Sequence, residues 1–506
     1  MDIFAAIRSD PRLDEVARRL IESRGAVSVE GLWGSSAPIL AALVARRLAL
    51  PLLLVTAHAD EADDCRDDID AAVGAAPEFF PQLDTLPGQT PETDELAGER
   101  LRVCMELLHA AAAPDRPCAA ARRPTPQTAA TPAQSELPFI VVASVMALMQ
   151  PVPTAAAIEA QSLAIEVGQT RGPDALVAWL TEHGFLRCDA VDVPGDFARR
   201  GGIVDVYSHA HPDPVRIEFF GDQVESIRLF DLATQRSSQP LSAVHIPARA
   251  LPGLGPSDAG TGQTTSLLAL LPPDTIIAFN EPGEIEELGR TFLQRLGEPV
   301  GMIPVEALFR RANEFRQLHL QRFGSSLPAV VRVEVSSLPQ FEAGSVEAID
   351  RLAELAATAE VTVLCDNRAE EQRFGELLAE HQAGRAQLKA GRLRTAVGVI
   401  HRGFCWGRSA FIPHHELFGR YRQRRTLRRV APARPIDSFF DLEAGDLVVH
   451  ALHGIGRFRG LKTLERQGRR DEYLAIEFAD RAMVHVPTSQ IQVVQKYIGT
   501  FRGKPK

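Results

Sequence analysis

The chain has 506 residues and a formal net charge of -10, a length several times that of one domain, so about three to five domains with separate cores are expected. Hydrophobic residues make up 45% and charged residues 24%, which excludes the disordered and fibrous classes. The acidic balance, with a pI near 5.8, excludes a chain-wide basic footprint, so any nucleic-acid contact must be local.

The N-terminus, MDIFAAIRSDPRLDEVARRL, lacks a signal-peptide apolar core, and no run of about 18 uncharged apolar residues occurs. A cytoplasmic protein without membrane contact is expected. The six cysteines (Cys65, Cys104, Cys118, Cys188, Cys365, Cys405) form no Cys-x-x-Cys pair and have no histidine at ligand spacing. They read as reduced structural thiols, with no metal.

From Ala26 to about Asp70 the order is strand (AVSVEGL), Gly/Ser turn (WGSSAP), helix (ILAALVARRLAL) and strand (PLLLVTA). That alternation indicates an open α/β sheet. An Ala/Pro/Gln/Thr-rich stretch at about 110–137 reads as a flexible insertion, and FIVVASVMAL after it would complete the sheet. The helix PDALVAWLTEHGF then leads into GGIVDVYS and PVRIEFFGDQVESIRLFD, joined by the turn signal HAHPDP as in a hairpin. This is a small α+β domain ending near Ala248.

Between 249 and about 340 the pattern weakens to one long helical stretch, VEALFRRANEFRQLHLQRF. From 343 to 430 a second α/β unit is expected, with strands VTVLCD, VGVIHRGF and SAFIPHHEL around the helix AEEQRFGELLAEHQ. Seven arginines at 420, 422, 424, 425, 428, 429 and 434 follow without an acid. They either meet DNA phosphates or pair within the molecule. Short strands from about Ser438 onward predict a small barrel-like β domain.

The glycines and serines of GLWGSSAPILAAL stand where a phosphate loop would lie, between strand and helix. Gly34, Ser35 and Ser36 keep its shape, but Pro38 and Ile39 replace the Lys-Ser/Thr pair that would neutralise and coordinate a nucleotide's phosphates. The loop reads as degenerate, with no catalytic residue and no cofactor in it.

The run GDFARRGGIVDVYS...PVRIEFFGDQVESIRLFDLATQRS (195–237) resembles the UvrB-homology module shared by the repair protein UvrB and the transcription-repair coupling factors, and its Thr-Gln-Arg-Ser ending is more like the latter. In that family the module binds UvrA, which implies a UvrA-binding role for the matching Arg200, Arg216 and Phe220. Arginines and aromatics suit such a hot spot. Alternation puts Arg216, Glu218 and Phe220 on one side of their strand and Ile217 and Phe219 on the other, so Phe219 is expected in the core and Phe220 on the binding face.

Upstream, FFPQLDTLPGQTPETDELAGERLRVCMELL is similar to a family segment in which a Leu-Pro turn precedes a helix carrying Glu-Arg-Leu. Downstream, HHELFGRYRQRRTLRR resembles its Glu-x-Phe-Gly-Arg element. The run 441–499, with His-Gly-Ile-Gly-Arg at 453–457, resembles the RNA-polymerase-interacting domain common to coupling factors and CarD-type regulators. There one strand edge pairs with the polymerase β subunit. The matching edge is Leu461, Lys462, Thr463, Leu464 and Glu465, with Leu464 either the apolar anchor or a core residue. His450 and His453 read as hairpin residues rather than metal ligands.

The resemblance implies a multidomain α/β and α+β chain. A UvrB-like α/β domain spans 1–151 and 249–342, with the α+β domain 152–248 inserted; a small α/β domain spans 343–430, the linker ends at 431–437, and a CarD- or Tudor-like β-barrel occupies 438–500. In the coupling factors a RecG-like motor follows and carries ATP, Mg and most DNA contact. This chain stops at FRGKPK, so a fragment or a split gene is expected, docking to polymerase and recruiting UvrA for nucleotide-excision repair without ATPase activity of its own. The rival expectations are a stand-alone CarD-type transcription regulator and an ATP-dependent UvrB-like enzyme.

Overall fold

The computed structural model describes residues 3–22, 25–83, 94–112, 138–249 except 210, 212 and 233, 263–296, 301–324, 330–339, 341 and 345–417. In the C-terminal region it describes 433–435, 447–450, 454–466, 469–478, 483–487 and 494–497. Most of the expected insertion, the Leu-Pro turn, Cys118 and the arginine run up to Arg429 lie outside the described residues.

The first domain is built on a seven-stranded sheet in the order Val330–Arg332, Val27–Glu30, Arg316–Gln321, Ile276–Asn280, Leu52–Thr56, Ile140–Ser144, Glu78–Phe80. Every pairing in it is parallel. Such a sheet is covered on both faces, which is why Leu52–Thr56 and Ile140–Ser144 are buried at every position. Alternation sorts the side chains: Leu52, Leu54, Ile276 and Ala278 share one core with the helices Pro11–Glu22, Ser36–Leu48 and Ala59–Val73. Leu53, Val55, Ile277 and Phe279 share the other with Asp94–Ala112, Val145–Met149 and Val305–Ala312.

Two expectations change here. FIVVASVMAL does not complete the sheet, because three of its strands come from beyond residue 275. The helix predicted over VEALFRRANEFRQLHLQRF ends at Ala312, and Arg316–Gln321 is a central strand. Leu318 and Leu320 suit either period, and parallel pairing on both sides decides for the strand.

The chain leaves this domain and returns to it through two short zippers, Val152–Pro153 with Thr264–Thr265 and Ser162–Glu166 with Ala243–Pro247. Between them stands a six-stranded sheet running from Ser237–Leu241 through Gln223–Phe230, Val215–Phe220, Ile203–Val206 and Asp196–Arg200 to Leu186–Arg187. The helix Pro173–Glu182 packs Leu176 and Leu180 on one face, against Phe197, Val204, Ile217 and Ile227. The HAHPDP turn does join a hairpin, with Val206 opposite Val215.

The second α/β unit has five strands in the order Val335–Ser337, Phe404–Trp406, Ser409–Pro413, Glu360–Cys365, Leu393–Val397. It therefore starts before residue 343, and the strand expected over VGVIHRGF is instead Leu393–Val397, followed by an irregular stretch to Gly403. Phe404, Trp406 and Phe411 join the first domain's core beside Phe4 and Leu13, and the Trp406 indole N–H donates to Asp10 at 2.7 Å. The C-terminal domain is an antiparallel sheet in the order Ala433–Pro435, Val494–Tyr497, Leu447–His450, Gly454–Arg466, Arg469–Glu477, Met483–Pro487. Its first strand comes from the expected linker, so the sheet reaches back past residue 438. Among the described residues no helix is long and apolar enough to cross a membrane.

Candidate interaction surfaces and a plugged loop

The inserted domain's sheet has one face under the helix Pro173–Glu182 and a second, charged face. Directly opposed residues share a face, and the register aligns Arg216 with Asp205 on one side and Arg228 on the other. Arg200, Ile203 and Glu218 form the next such row toward the Gly201–Gly202 turn. Arg200 and Phe220 thus lie at the same end of the sheet, where the Phe219 amide donates to the Gly202 carbonyl at 2.8 Å. Despite a bulge between Glu218 and Phe219, the alternation holds: Phe219 is 9% exposed and Phe220 79%. Phe219 is therefore a core residue and the Phe220 ring faces solvent.

Arg200 is exposed, and its guanidinium donates to the Asp189 carbonyl at 3.1 Å. Arg216 is differently placed. It forms a two-pronged pair with Asp205, Nε to Oδ1 at 2.8 Å and Nη2 to Oδ2 at 2.9 Å, over the Phe230 ring at 4.7 Å. The hydrogen bond that Arg216 donates to Asp205 raises the arginine's pKa, and Asp205 itself is 5% exposed. Arg216 therefore has a structural duty within the domain, and Arg216→Ala strands a buried carboxylate. We expect it to cost about 2–4 kcal/mol of domain stability, read as a lower urea midpoint. An unchanged midpoint would contradict this. Asp205 was not singled out from the sequence, although an acid inside the apolar strand IVDV was a signal for a buried partner.

In the C-terminal sheet the strand Gly454–Arg466 outruns one neighbour. It pairs with Leu447–His450 only from Gly454 to Arg457, but with Arg469–Glu477 as far as Arg466. Leu461, Lys462, Thr463, Leu464 and Glu465 therefore present one main-chain edge that no strand covers among the described residues. Unpaired edge N–H and C=O groups are a template for another strand. Lys462 is exposed; whether Leu464 is anchor or core lies outside the described residues.

The degenerate phosphate loop is filled. Gly34, at φ +58°, lets the main chain of Arg402 and Gly403 approach so closely that a Cβ there would stand 2.6 Å from the Gly403 oxygen. The Ser35 amide donates to the Arg402 carbonyl at 3.0 Å, and the Ser35 hydroxyl accepts from the Arg402 amide at 3.0 Å. Ser36 Oγ accepts from the Trp33 amide at 3.0 Å, and Pro38, in the helix's first turn, offers no N–H. The Ser35 and Ser36 amides, which would face an anion, are bonded to protein carbonyls.

Two family models match the chain: the UvrB interaction domain over residues 163–250 and the CarD-like/TRCF RID domain over residues 442–498. Similar curated proteins are the transcription-repair-coupling factors of Bacillus subtilis, 26% identical over 94% of this chain and 45% of that protein, and of Mycobacterium bovis, 27% identical over 90% and 43%. That of Escherichia coli is 25% identical over 71% of this chain and 38% of its own length. The chain spans less than half the length of these relatives.

Proposed function

We propose, for a chain that corresponds to the amino-terminal portion of a transcription-repair coupling factor, the function of an adaptor with two arms. One arm, the inserted domain, binds UvrA; the other, the C-terminal sheet, binds RNA polymerase. Together they bring excision repair to a stalled polymerase. The observation that carries the reading is the presence, in one chain and in this order, of both matched domains: the first exposes Phe220 and Arg200, and the second has a main-chain edge at 461–465 that no strand covers among the described residues.

On the polymerase side we place the β subunit against that edge as an added strand, main-chain hydrogen bonds supplying affinity and Lys462 and Leu464 selecting register. In the relatives' full length an ATP-driven motor would push polymerase and hold most DNA contact. The filled loop at Gly34–Ser36 supports a chain that binds no nucleotide there. An equilibrium titration with labelled ATP should show no saturable binding below millimolar concentration, and tight binding would revive an ATP-dependent reading. Titration of the chain with UvrA tests the adaptor itself: saturable binding supports it, and polymerase binding without UvrA binding leaves a stand-alone transcription regulator.

A further inference from the structure

We infer that the glycine–serine loop after the first strand has become an intramolecular docking site whose ligand is the chain's own Ile400–Gly403 segment, and that the clasp of His401 on the helix Ala59–Val73 is its releasable catch. This goes beyond the adaptor reading and does not depend on it.

Ile400 and, just after Gly403, Phe404 are both buried in the first domain's core, so the plug is tethered at both ends. Between them the segment makes main-chain bonds to Ser35 in both directions. Asp68, 3% exposed, stands beneath the loop: it accepts from the His401 amide at 2.9 Å and is hydrogen-bonded by the Ser35 hydroxyl. Ser35 thus relays between the plug and a buried carboxylate.

The His401 imidazole lies between two more carboxylates of the same helix, 3.1 Å from Asp64 and 3.0 Å from Asp67. The other charged or titratable groups facing the plug are Arg402 itself, Asp60 and Glu61 on that helix, and His415 and Glu416 on the turn His414–Leu417. His415 donates to the His401 carbonyl at 3.2 Å, and Glu416 accepts from the Gly403 amide at 3.0 Å.

The signs agree across the clasp. Burial opposes the charge on His401, but the Asp67 hydrogen bond and the charges of Asp68, Asp64 and Asp67 outweigh it and raise its pKa. Burial raises Asp64 and pushes Asp68 up to about 7. Each group holds a proton more tightly in the closed state than when free, so closure is favoured on the acid side and weakens as pH rises through neutrality. The catch loosens as pH rises through about 7, where Asp68 titrates, while the apolar contacts of Phe404, Trp406 and Phe411 do not titrate. The opening is therefore local.

Hydrogen exchange on the full chain, corrected for intrinsic rates, tests this. Amides of His401, Arg402 and Gly403 should lose at least tenfold of protection between pH 6 and 8.5, while Val361–Cys365 in the neighbouring strand keep theirs. His401→Gln should open the segment at pH 6 and reduce the pH dependence to the part that Asp64 and Asp68 carry; Ser35→Ala should open it and leave the full dependence in place. Equal protection at both pH values, an undiminished pH dependence in His401→Gln, or loss of protection in Val361–Cys365 together with the segment would overturn the proposal.

Discussion

Replacing Arg100 by alanine should destabilise the first domain by about 3–5 kcal/mol, the largest effect expected of any single substitution here. Arg100 is 0% exposed, on the helix Asp94–Ala112, and has no carboxylate partner among its hydrogen bonds. Its Nη1 donates to the carbonyls of Pro81 at 2.8 Å and Ala147 at 3.2 Å, its Nη2 to those of Gln150 and Pro151 at 3.1 Å each. The guanidinium lies over Phe80 at 4.1 Å. Burial lowers its pKa to about 10, which still leaves it charged at neutral pH. Carbonyl dipoles from two stretches of chain, Pro81 and 147–151, thus converge on one cation where the polypeptide leaves for the inserted domain. Alanine leaves those carbonyls short of donors and opens a void; lysine should recover only part of the loss, because an ammonium cannot fork across four acceptors. Urea unfolding of the three proteins measures this, and a loss under 1 kcal/mol for Arg100→Ala would show that the carbonyls find other donors.

Phe220→Ala should weaken UvrA binding about thirtyfold, the scale of a hot-spot side chain worth about 2 kcal/mol. It should change stability by no more than about 0.5 kcal/mol, since the ring is 79% exposed and leaves no cavity. Binding and unfolding measured on the same preparation separate the two effects. Arg216→Ala cannot do so, because it breaks the Asp205 pair as well. Unchanged affinity on Phe220→Ala would move the contact elsewhere on the domain.

Where a local period or turn decides the structure, the sequence could be read. The hairpin around HAHPDP, the opposite fates of Phe219 and Phe220 and the amphipathic helix over 173–182 all follow from alternation and turn chemistry. Where tertiary contact decides, it could not. Arg316–Gln321 continues a helical pattern and becomes a strand because two parallel neighbours claim its main chain. VGVIHRGF looks like a strand and becomes mostly a plug, since its hydrogen bonds go to Ser35 and Asp68 more than 300 residues away. Arg100 was invisible as a structural residue because its partners are backbone carbonyls, which carry no signature in residue type. The degenerate loop was legible as lacking its lysine, but that the chain itself fills the space was not.

The adaptor account stands most directly on bridging. RNA polymerase immobilised on beads, incubated with this chain and then with UvrA, should retain UvrA only when the chain is present. Phe220→Ala should lose UvrA and keep the chain on the beads, and Leu464→Ala should lose the chain and UvrA together while still binding UvrA in solution. Retention of the chain without UvrA in the unsubstituted protein would contradict the two-armed reading.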